Sequence, residues 1–326
     1  MSTQIFNRVK QKRIIELLVI AGFIFIGLLS FFWGSGIFAP KETPVSQSES
    51  GLRVLTTFFP MYDFAKQVGG SRIGLDMLFS QTPEVSSFLP ADIQKINNAD
   101  MVIKNGAGLE PVLDDLIASS DHTDIEVIDT SKGITTITPT KGIELKEGEW
   151  HKEDEHGPVD PHIWLDPNNA IIQVGNIRDA FIANDPENAD LYHKNAERYI
   201  EELRALDQEI REAIAKLSKK DFIAFHSAFQ YFAKRYGLNE AATIEEFPGK
   251  EPSPRYLSEV IKLIRELGIT AIFSEPQFSP KVVEVIARDL NLKVYALDPV
   301  ETGNLAKDSY IFIMQKNLEL LKEALQ

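Results

Sequence analysis

The chain of 326 residues contains no cysteine. This absence excludes disulfide bridges, metal sites built on thiolates, catalysis by a cysteine nucleophile and a lipid-modified cysteine within this sequence. The sequence also lacks a His-Glu-x-x-His helix, a Gly-x-Ser-x-Gly elbow and a phosphate-binding loop, which are common marks of hydrolases and nucleotide-binding enzymes. An enzyme is therefore not expected, and a zinc hydrolase is only a remote alternative.

Negative charge predominates in most of the chain. The formal net charge is −14 at pH 7, whereas residues 1–50 carry five basic and three acidic side chains, a net of +2. The part from residue 51 onward therefore carries −16 by difference. An acidic body disfavours nucleic acid and anionic lipid as partners and is compatible with a cationic ligand, although a solvated acidic surface explains it equally well.

One long apolar run lies near the N-terminus, at residues 17–33. Extended back to Ile14 it reaches about 20 residues, which is what a helix needs to cross a bilayer. We predict a basic cytoplasmic tail at 1–13, a single transmembrane anchor at 14–35 and a Ser/Pro/Glu-rich linker at 36–51. Four basic residues precede the run and place the rest of the chain outside the cell membrane. A cleaved signal peptide is the alternative, because small residues follow the apolar run.

Strand-like and helical patterns alternate in both halves of the remaining chain. Such alternation predicts α/β lobes with parallel sheets and with ligand-binding loops at the carboxyl ends of the strands. Residues 168–220 show no strand signal, and a run of roughly 30 residues after Asp185-Pro186 lacks glycine and proline. We predict an N-terminal lobe at 52–180, one long helix within 181–220 and a C-terminal lobe at 221–326.

The segment Asp160-Pro161-His162-Ile163-Trp164-Leu165-Asp166-Pro167 is the most distinctive motif of the chain. It follows a short acidic stretch, residues 150–157, that contains His151 and His156. An imidazole on a proline-braced turn, preceded by a loop of weak metal donors, is typical of proteins that capture metal ions.

This motif resembles one in the metal-binding solute-binding proteins of bacterial ABC importers, the receptors of the zinc or manganese type. The resemblance extends from about residue 52 to the C-terminus. Four further segments carry it: TTFFPMYDFA at 56–65, NGAGLE at 105–110, GKEPSP at 249–254 and FSEPQFS at 273–279.

The resemblance implies two α/β lobes joined by one long backbone helix, with the ligand cleft between the lobes. It also implies a monomer that delivers its metal ion to an ABC permease driven by a cytoplasmic ATPase. Many relatives in bacteria with a single membrane are lipoproteins. The missing cysteine departs from that pattern, so we expect the N-terminal helix to serve as the membrane anchor.

The resemblance also implies four metal ligands, two from each lobe: Glu84, His162, His226 and Asp298. Relatives carry a histidine where Glu84 stands, in a run similar to residues 83–93, so Glu84 is either a carboxylate replacement or a lost ligand. Glu275 is a secondary candidate, as a hydrogen-bond partner of a ligating imidazole or as a substitute ligand. His151 and His156 are expected to be weak loop donors.

Each candidate also has a purely structural explanation. A single histidine after an apolar strand, such as His226, is usually a hydrogen-bonded core or loop residue. The pair Asp298-Pro299 is typical of a turn. What favours the metal site is that four such motifs occur in the family's order and come from both lobes.

The donor types restrict the metal. Nitrogen and oxygen ligands suit zinc, manganese or ferrous iron and exclude copper(I), and the same ligands hold zinc more tightly than manganese. Two histidines with two carboxylates are nevertheless the donor count of manganese-type relatives. We expect an extracytoplasmic, high-affinity receptor for zinc, with a manganese or iron receptor as the alternative and a surface adhesin as a less favoured one.

Overall fold

Eight short parallel strands form the two sheets of the described chain. The structure is a computed structural model that describes residues 51–83, 87–139, 159–245 and 251–326. The strands are β1 (Arg53–Thr56), β2 (Gly74–Met77), β3 (Met101–Lys104), β4 (Glu126–Asp129), β5 (Asp221–Ala224), β6 (Asn239–Thr243), β7 (Ala271–Ser274) and β8 (Lys293–Ala296). Their order is β2-β1-β3-β4 in the first sheet and β6-β5-β7-β8 in the second. This confirms the two predicted α/β lobes with parallel sheets.

Helices connect the strands and cover the sheets in the described ranges. They are α1 (Phe59–Gly69), α2 (Pro90–Asn98), α3 (Leu113–Ala118), α4 (Pro167–Asn184), α5 (Ala189–Ala215), α6 (Gln230–Tyr236), α7 (Pro254–Leu267), α8 (Lys281–Leu290) and α9 (Tyr310–Ala324). Helices α4 and α5 lie between the two sheets in the sequence, where no strand was predicted.

Side-chain caps decide where three of these helices begin. The Asp166 carboxylate accepts a hydrogen bond from the Asn168 N–H at 2.9 Å, and Pro167 occupies the first turn of α4. Ser253 and Ser309 cap α7 and α9 in the same way, each accepting from the N–H three residues further on. These caps satisfy backbone donors that have no partner inside the helix.

Helix α3 begins only at Leu113, and Glu110, which precedes it, has another role. The Glu110 carboxylate accepts from the Asn105 N–H at 2.7 Å, the Gly106 N–H at 3.1 Å and the Thr57 hydroxyl at 2.8 Å. Gly106 adopts a φ of 81°, and a Cβ there would lie 2.0 Å from an oxygen of Asp129. The turn after β3 is therefore built around a buried carboxylate.

The long helix α5 carries the core of the molecule along one side. It spans 27 residues, which is about 40 Å at 1.5 Å per residue, and it starts after a short 3-10 turn at Pro186–Asn188. An apolar stripe along this helix is buried: Tyr192, Ala196, Tyr199, Leu203, Leu206 and Ile210.

The two lobes share one hydrophobic core. Val54 and Ile103 of the first sheet belong to the same buried cluster as Phe222 and Phe273 of the second, together with the stripe of α5. An apolar interface of this kind keeps the movement of one lobe relative to the other small.

The predicted tail, transmembrane segment and linker at residues 1–51 lie almost entirely outside the described residues. Among the helices that the structure describes, none combines the length and the apolar character needed to cross a membrane.

Candidate metal centre

Three buried side chains converge where the two lobes meet. The Nε2 atoms of His162 and His226 are 3.3 Å apart, and Glu301 Oε1 lies 3.9 Å from the first and 3.7 Å from the second. Their exposed fractions are 0%, 0% and 1%. Within the described ranges, these three residues form the group whose donor atoms are close enough to hold one metal ion.

The topology of the second sheet explains how two of the three donors meet. His226 follows β5 and Glu301 follows β8, and both strands are neighbours of β7. Because the carboxyl ends of parallel strands share one edge of the sheet, residues far apart in sequence are brought together there. His162 reaches the same point from the first lobe, immediately before a 3-10 turn at Ile163–Leu165 and helix α4.

A carboxylate orients each imidazole. His162 Nδ1 lies 2.8 Å from Asp160 Oδ1, and His226 Nδ1 lies 2.6 Å from Glu275 Oε1. A carboxylate accepts a hydrogen bond, so each Nδ1 carries the proton and each Nε2 presents its lone pair.

The spacing of the donors fits a tetrahedral ion. Zinc–nitrogen bonds are about 2.0–2.1 Å long, which places two ligands of a tetrahedral zinc about 3.3 Å from each other. The imidazole pair already has this separation, and the Glu301 oxygen needs only a small side-chain movement to reach it. The donor set therefore fits a divalent ion with nitrogen and oxygen ligands.

Asp298, the predicted fourth ligand, is engaged elsewhere. Its Oδ1 accepts from the Val300 N–H at 2.8 Å and from Gln277 Nε2 at 3.2 Å. Burial raises the pKa of this carboxyl, and the Val300 N–H and Gln277 partly oppose that rise. In the structure Asp298 Oδ1 bonds to the turn that follows it, and Glu301, three residues further on, is the carboxylate that lies close to the two imidazoles.

The same turn contains a strained residue. Val300 is completely buried and has a φ of 63°, a conformation that β-branched residues rarely adopt. Such strain is concentrated at functional sites, where the surroundings enforce it. The pattern Asp298-Pro299 predicts a turn, but the positive φ of Val300, the residue before Glu301, is visible only in the structure.

The remaining candidates divide into two groups. Glu275 lies beside His226 and orients it, which is one of the two roles expected from the sequence. Glu84 and the loop histidines His151 and His156 lie outside the described residues, so their part in the site stays a prediction.

A network of buried polar side chains supports the loop that carries His162. Asn105 Nδ2 donates to the Pro161 carbonyl at 2.9 Å, and Gln173 Nε2 donates to Asn105 Oδ1 at 3.1 Å. Glu110 fixes the backbone of Asn105 from the other side. Burial raises the pKa of Glu110 to about 7, against the lowering effect of its hydrogen bonds to Asn105 and Thr57.

A partly buried glutamate supports the loop of His226. Glu240 of β6 accepts from the Ser227 hydroxyl at 2.6 Å and from the Phe229 N–H at 3.1 Å. Burial raises its pKa to about 7 as well, opposed mainly by the hydrogen bond from Ser227. The loop of His162 is therefore supported by Glu110, and the loop of His226 by Glu240.

Comparison with known proteins identifies zinc-binding relatives of the chain. The family model for "Zinc-uptake complex component A periplasmic" (ZnuA) matches residues 54–324. The zinc-binding lipoprotein AdcA of Streptococcus pneumoniae serotype 4 is 32% identical over 285 residues, which are 85% of this chain and 56% of AdcA. The chain thus spans little more than half the length of that relative.

Two further similar proteins cover more of their own length. The high-affinity zinc uptake system protein ZnuA of Bacillus subtilis is 33% identical over 296 residues, 84% of this chain and 88% of that protein. The laminin-binding protein Lmb of Streptococcus agalactiae, described as having adhesin and metal-transporting activity, has a structure with a TM-score of 0.74 and 30% identity, covering 85% of this chain and all of Lmb. With the family match over residues 54–324, the chain belongs to the family of zinc-uptake complex component A.

Proposed function

We propose that the protein is an extracytoplasmic, high-affinity receptor for zinc that delivers the ion to an ABC importer. The observation that carries this proposal is the convergence of two imidazole nitrogens, 3.3 Å apart, with a carboxylate oxygen in a fully buried place. Zinc is the cargo of such a receptor. The zinc-binding names of AdcA and ZnuA support the same cargo.

The ligand set we propose is His162, His226 and Glu301, with Glu84 as the fourth. Glu301 replaces Asp298 in the set expected from the sequence, because its oxygen is within 4 Å of both imidazoles. Two histidines and two carboxylates would leave the site near neutral once a divalent ion is bound. Zinc is preferred over manganese by the Irving–Williams order, and manganese or iron is the alternative cargo.

Binding and release follow from the origin of the ligands. His162 belongs to the first lobe, whereas His226 and Glu301 belong to the second. A bound ion therefore links the lobes, and separating them breaks the coordination shell. We propose that a membrane permease, driven by a cytoplasmic ATPase, separates the lobes, or that protons displace the ion from the imidazoles.

Burial favours a receptor over a zinc enzyme. A catalytic zinc typically has three protein ligands and an open position that water and substrate can reach. His162, His226 and Glu301 are at most 1% exposed, so a substrate in solution does not reach them in the described part of the structure. The proposed location is the outer face of the cell membrane, with residues 14–35 as the anchor and the rest as a monomer.

A competition titration tests the proposal. The full chain, purified in mild detergent and stripped of metal, is titrated with zinc against manganese. We expect one tightly bound zinc per chain, which manganese displaces only in large excess. His226→Ala should weaken zinc binding roughly a hundredfold to a thousandfold, because about four ligands share a binding free energy of about 10–16 kcal/mol in protein zinc sites.

The matched control is His122→Ala. His122 is partly exposed and lies 3.7 Å from the exposed Asp124, so its loss should leave zinc affinity unchanged. Tighter binding of manganese than of zinc would make the protein a manganese receptor. If the wild type binds neither ion, the importer proposal is wrong.

A further inference from the structure

A tyrosine of the second lobe reaches across to the loop that carries His162. Tyr231 lies in α6, five residues after His226. Its hydroxyl donates to the Asp160 carbonyl at 2.9 Å and accepts from the Ile137 N–H at 3.1 Å. One side chain of the second lobe thus makes two hydrogen bonds to the backbone of the first.

The two backbone groups that Tyr231 joins are themselves paired. The Asp160 N–H donates to the Ile137 carbonyl at 2.8 Å. Together the three hydrogen bonds form a closed unit in which the Tyr231 hydroxyl fixes Asp160 and Ile137 at the same time. The Tyr231 side chain is 5% exposed, so water does not compete well for these bonds.

Asp160 transmits this fixation to the metal ligand. Its Oδ1 accepts from the His162 N–H at 2.9 Å and contacts His162 Nδ1 at 2.8 Å. The orientation of the His162 ring therefore depends on the position of Asp160, which in turn depends on Tyr231. Burial raises the pKa of the Tyr231 hydroxyl to about 12, so the hydroxyl keeps the proton that it donates at neutral pH.

A reciprocal contact exists on the other side of the cleft. Trp164 of the first lobe donates its Nε1–H to the Pro299 carbonyl at 2.8 Å, two residues before Glu301. The Trp164 ring also packs against His162, with ring centroids 5.2 Å apart. The ligand segment of each lobe is therefore held by a side chain of the other lobe.

We propose that Tyr231 is a positioning residue that makes the orientation of His162 conditional on closure of the two lobes. This inference rests on the zinc-receptor function proposed above. When the lobes separate, the Tyr231 hydroxyl withdraws, Asp160 loses its support and the His162 ring is free to turn away from the ion. Lobe opening then releases the ion both by separating the ligands and by disorienting one of them.

The test is the release rate of zinc from Tyr231→Phe. Zinc-loaded full chain is mixed with an excess of a chromophoric chelator, and the release is followed by stopped-flow absorbance. We expect release about tenfold faster than in the wild type, which corresponds to about 1.4 kcal/mol. Phenylalanine keeps the ring and its packing, so the variant is expected to fold.

Tyr192→Phe is the matched control. Tyr192 is also buried and donates its hydroxyl to Asp185 at 2.7 Å, within the helical segment that links the lobes. Its loss should lower the melting temperature of the metal-free protein at least as much as Tyr231→Phe does, yet leave the release rate unchanged. Thermal unfolding of both metal-free variants separates loss of stability from loss of ligand positioning.

Two results would overturn the inference alone. One is a release rate of Tyr231→Phe within twofold of the wild type, and the other is an equal acceleration in Tyr192→Phe. If the wild type itself fails to bind one zinc per chain, the proposed function is wrong and the inference falls with it.

Discussion

In each lobe a carboxylate orients the histidine of the site, but the two carboxylates lie at different sequence separations from their histidines. His162 is oriented by Asp160, two residues before it in the same loop. His226 is oriented by Glu275, which follows a neighbouring strand 49 residues away. In both cases one carboxylate oxygen contacts both the backbone N–H and the Nδ1 of the histidine.

This difference explains why one orienting pair is visible as a sequence motif and the other is not. The first-lobe unit is local, so it stands in the sequence as a continuous motif that can be recognised. The second-lobe unit arises only because β5 and β7 are adjacent in the sheet. Its carboxylate was open to two roles in the sequence, and the sheet order selects the orienting one.

The largest effect is expected from replacing a carboxylate of the second lobe by the corresponding amide. Glu301→Gln should weaken zinc binding roughly a hundredfold to a thousandfold, because it removes one of about four ligands. Asp298→Asn should change the affinity far less, since the amide oxygen can still accept from Val300. The measurement is a chelator competition titration of both variants, and the reverse order of effects would restore Asp298 as the ligand.

The contribution of Glu110 to the stability of the first lobe should depend on pH. The pKa of Glu110 is raised in the folded protein from 4.5 to about 7, mainly by burial. Its contribution to stability is complete below about pH 4.5 and is lost as the pH rises to about 7, an amount of roughly 3 kcal/mol. In metal-free Glu110→Gln this part of the pH dependence should disappear, as urea unfolding between pH 4.5 and 7 would measure.

The control for this experiment is Glu319→Gln. Glu319 is exposed and pairs with Lys322 on the surface, so the variant should follow the wild type at every pH. A pH profile of Glu110→Gln that runs parallel to the wild type would argue against a protonated Glu110 beneath the His162 loop.

The orienting carboxylates should have an intermediate and similar effect. Asp160→Asn and Glu275→Gln should each weaken zinc binding about 10-fold to 100-fold, the usual cost of losing a hydrogen-bond partner of a ligating histidine. Isothermal titration of both variants makes the comparison. A loss confined to one of them would mean that the two lobes do not hold their ligands equivalently.

The smallest effect is expected from the loop that precedes His162. Deleting residues 151–156 should slow zinc capture and change the equilibrium affinity only slightly, because weak donors gather ions without belonging to the site. Stopped-flow binding with and without the loop measures this. Complete loss of binding would instead place primary ligands in that loop.

The fold was predictable to a large extent because local patterns specify it. The alternation of strands and helices and the strand-free stretch at 168–220 agree with the structure. The departures are tertiary in origin. Glu110, for example, accepts hydrogen bonds from the backbone of the turn after β3, and no local sequence pattern predicts this contact.

The sequence by itself determined the donor chemistry: without cysteine, a metal site has to use imidazole and carboxylate, and the motif around His162 marks one ligand. Only the tertiary structure decided which carboxylates do what. Glu301 Oε1 lies within 4 Å of both imidazoles, whereas Asp298 Oδ1 accepts hydrogen bonds from Val300 and Gln277. Glu275 and Tyr231 act on histidines through contacts between strands and lobes, and such contacts follow from packing rather than from neighbouring residues.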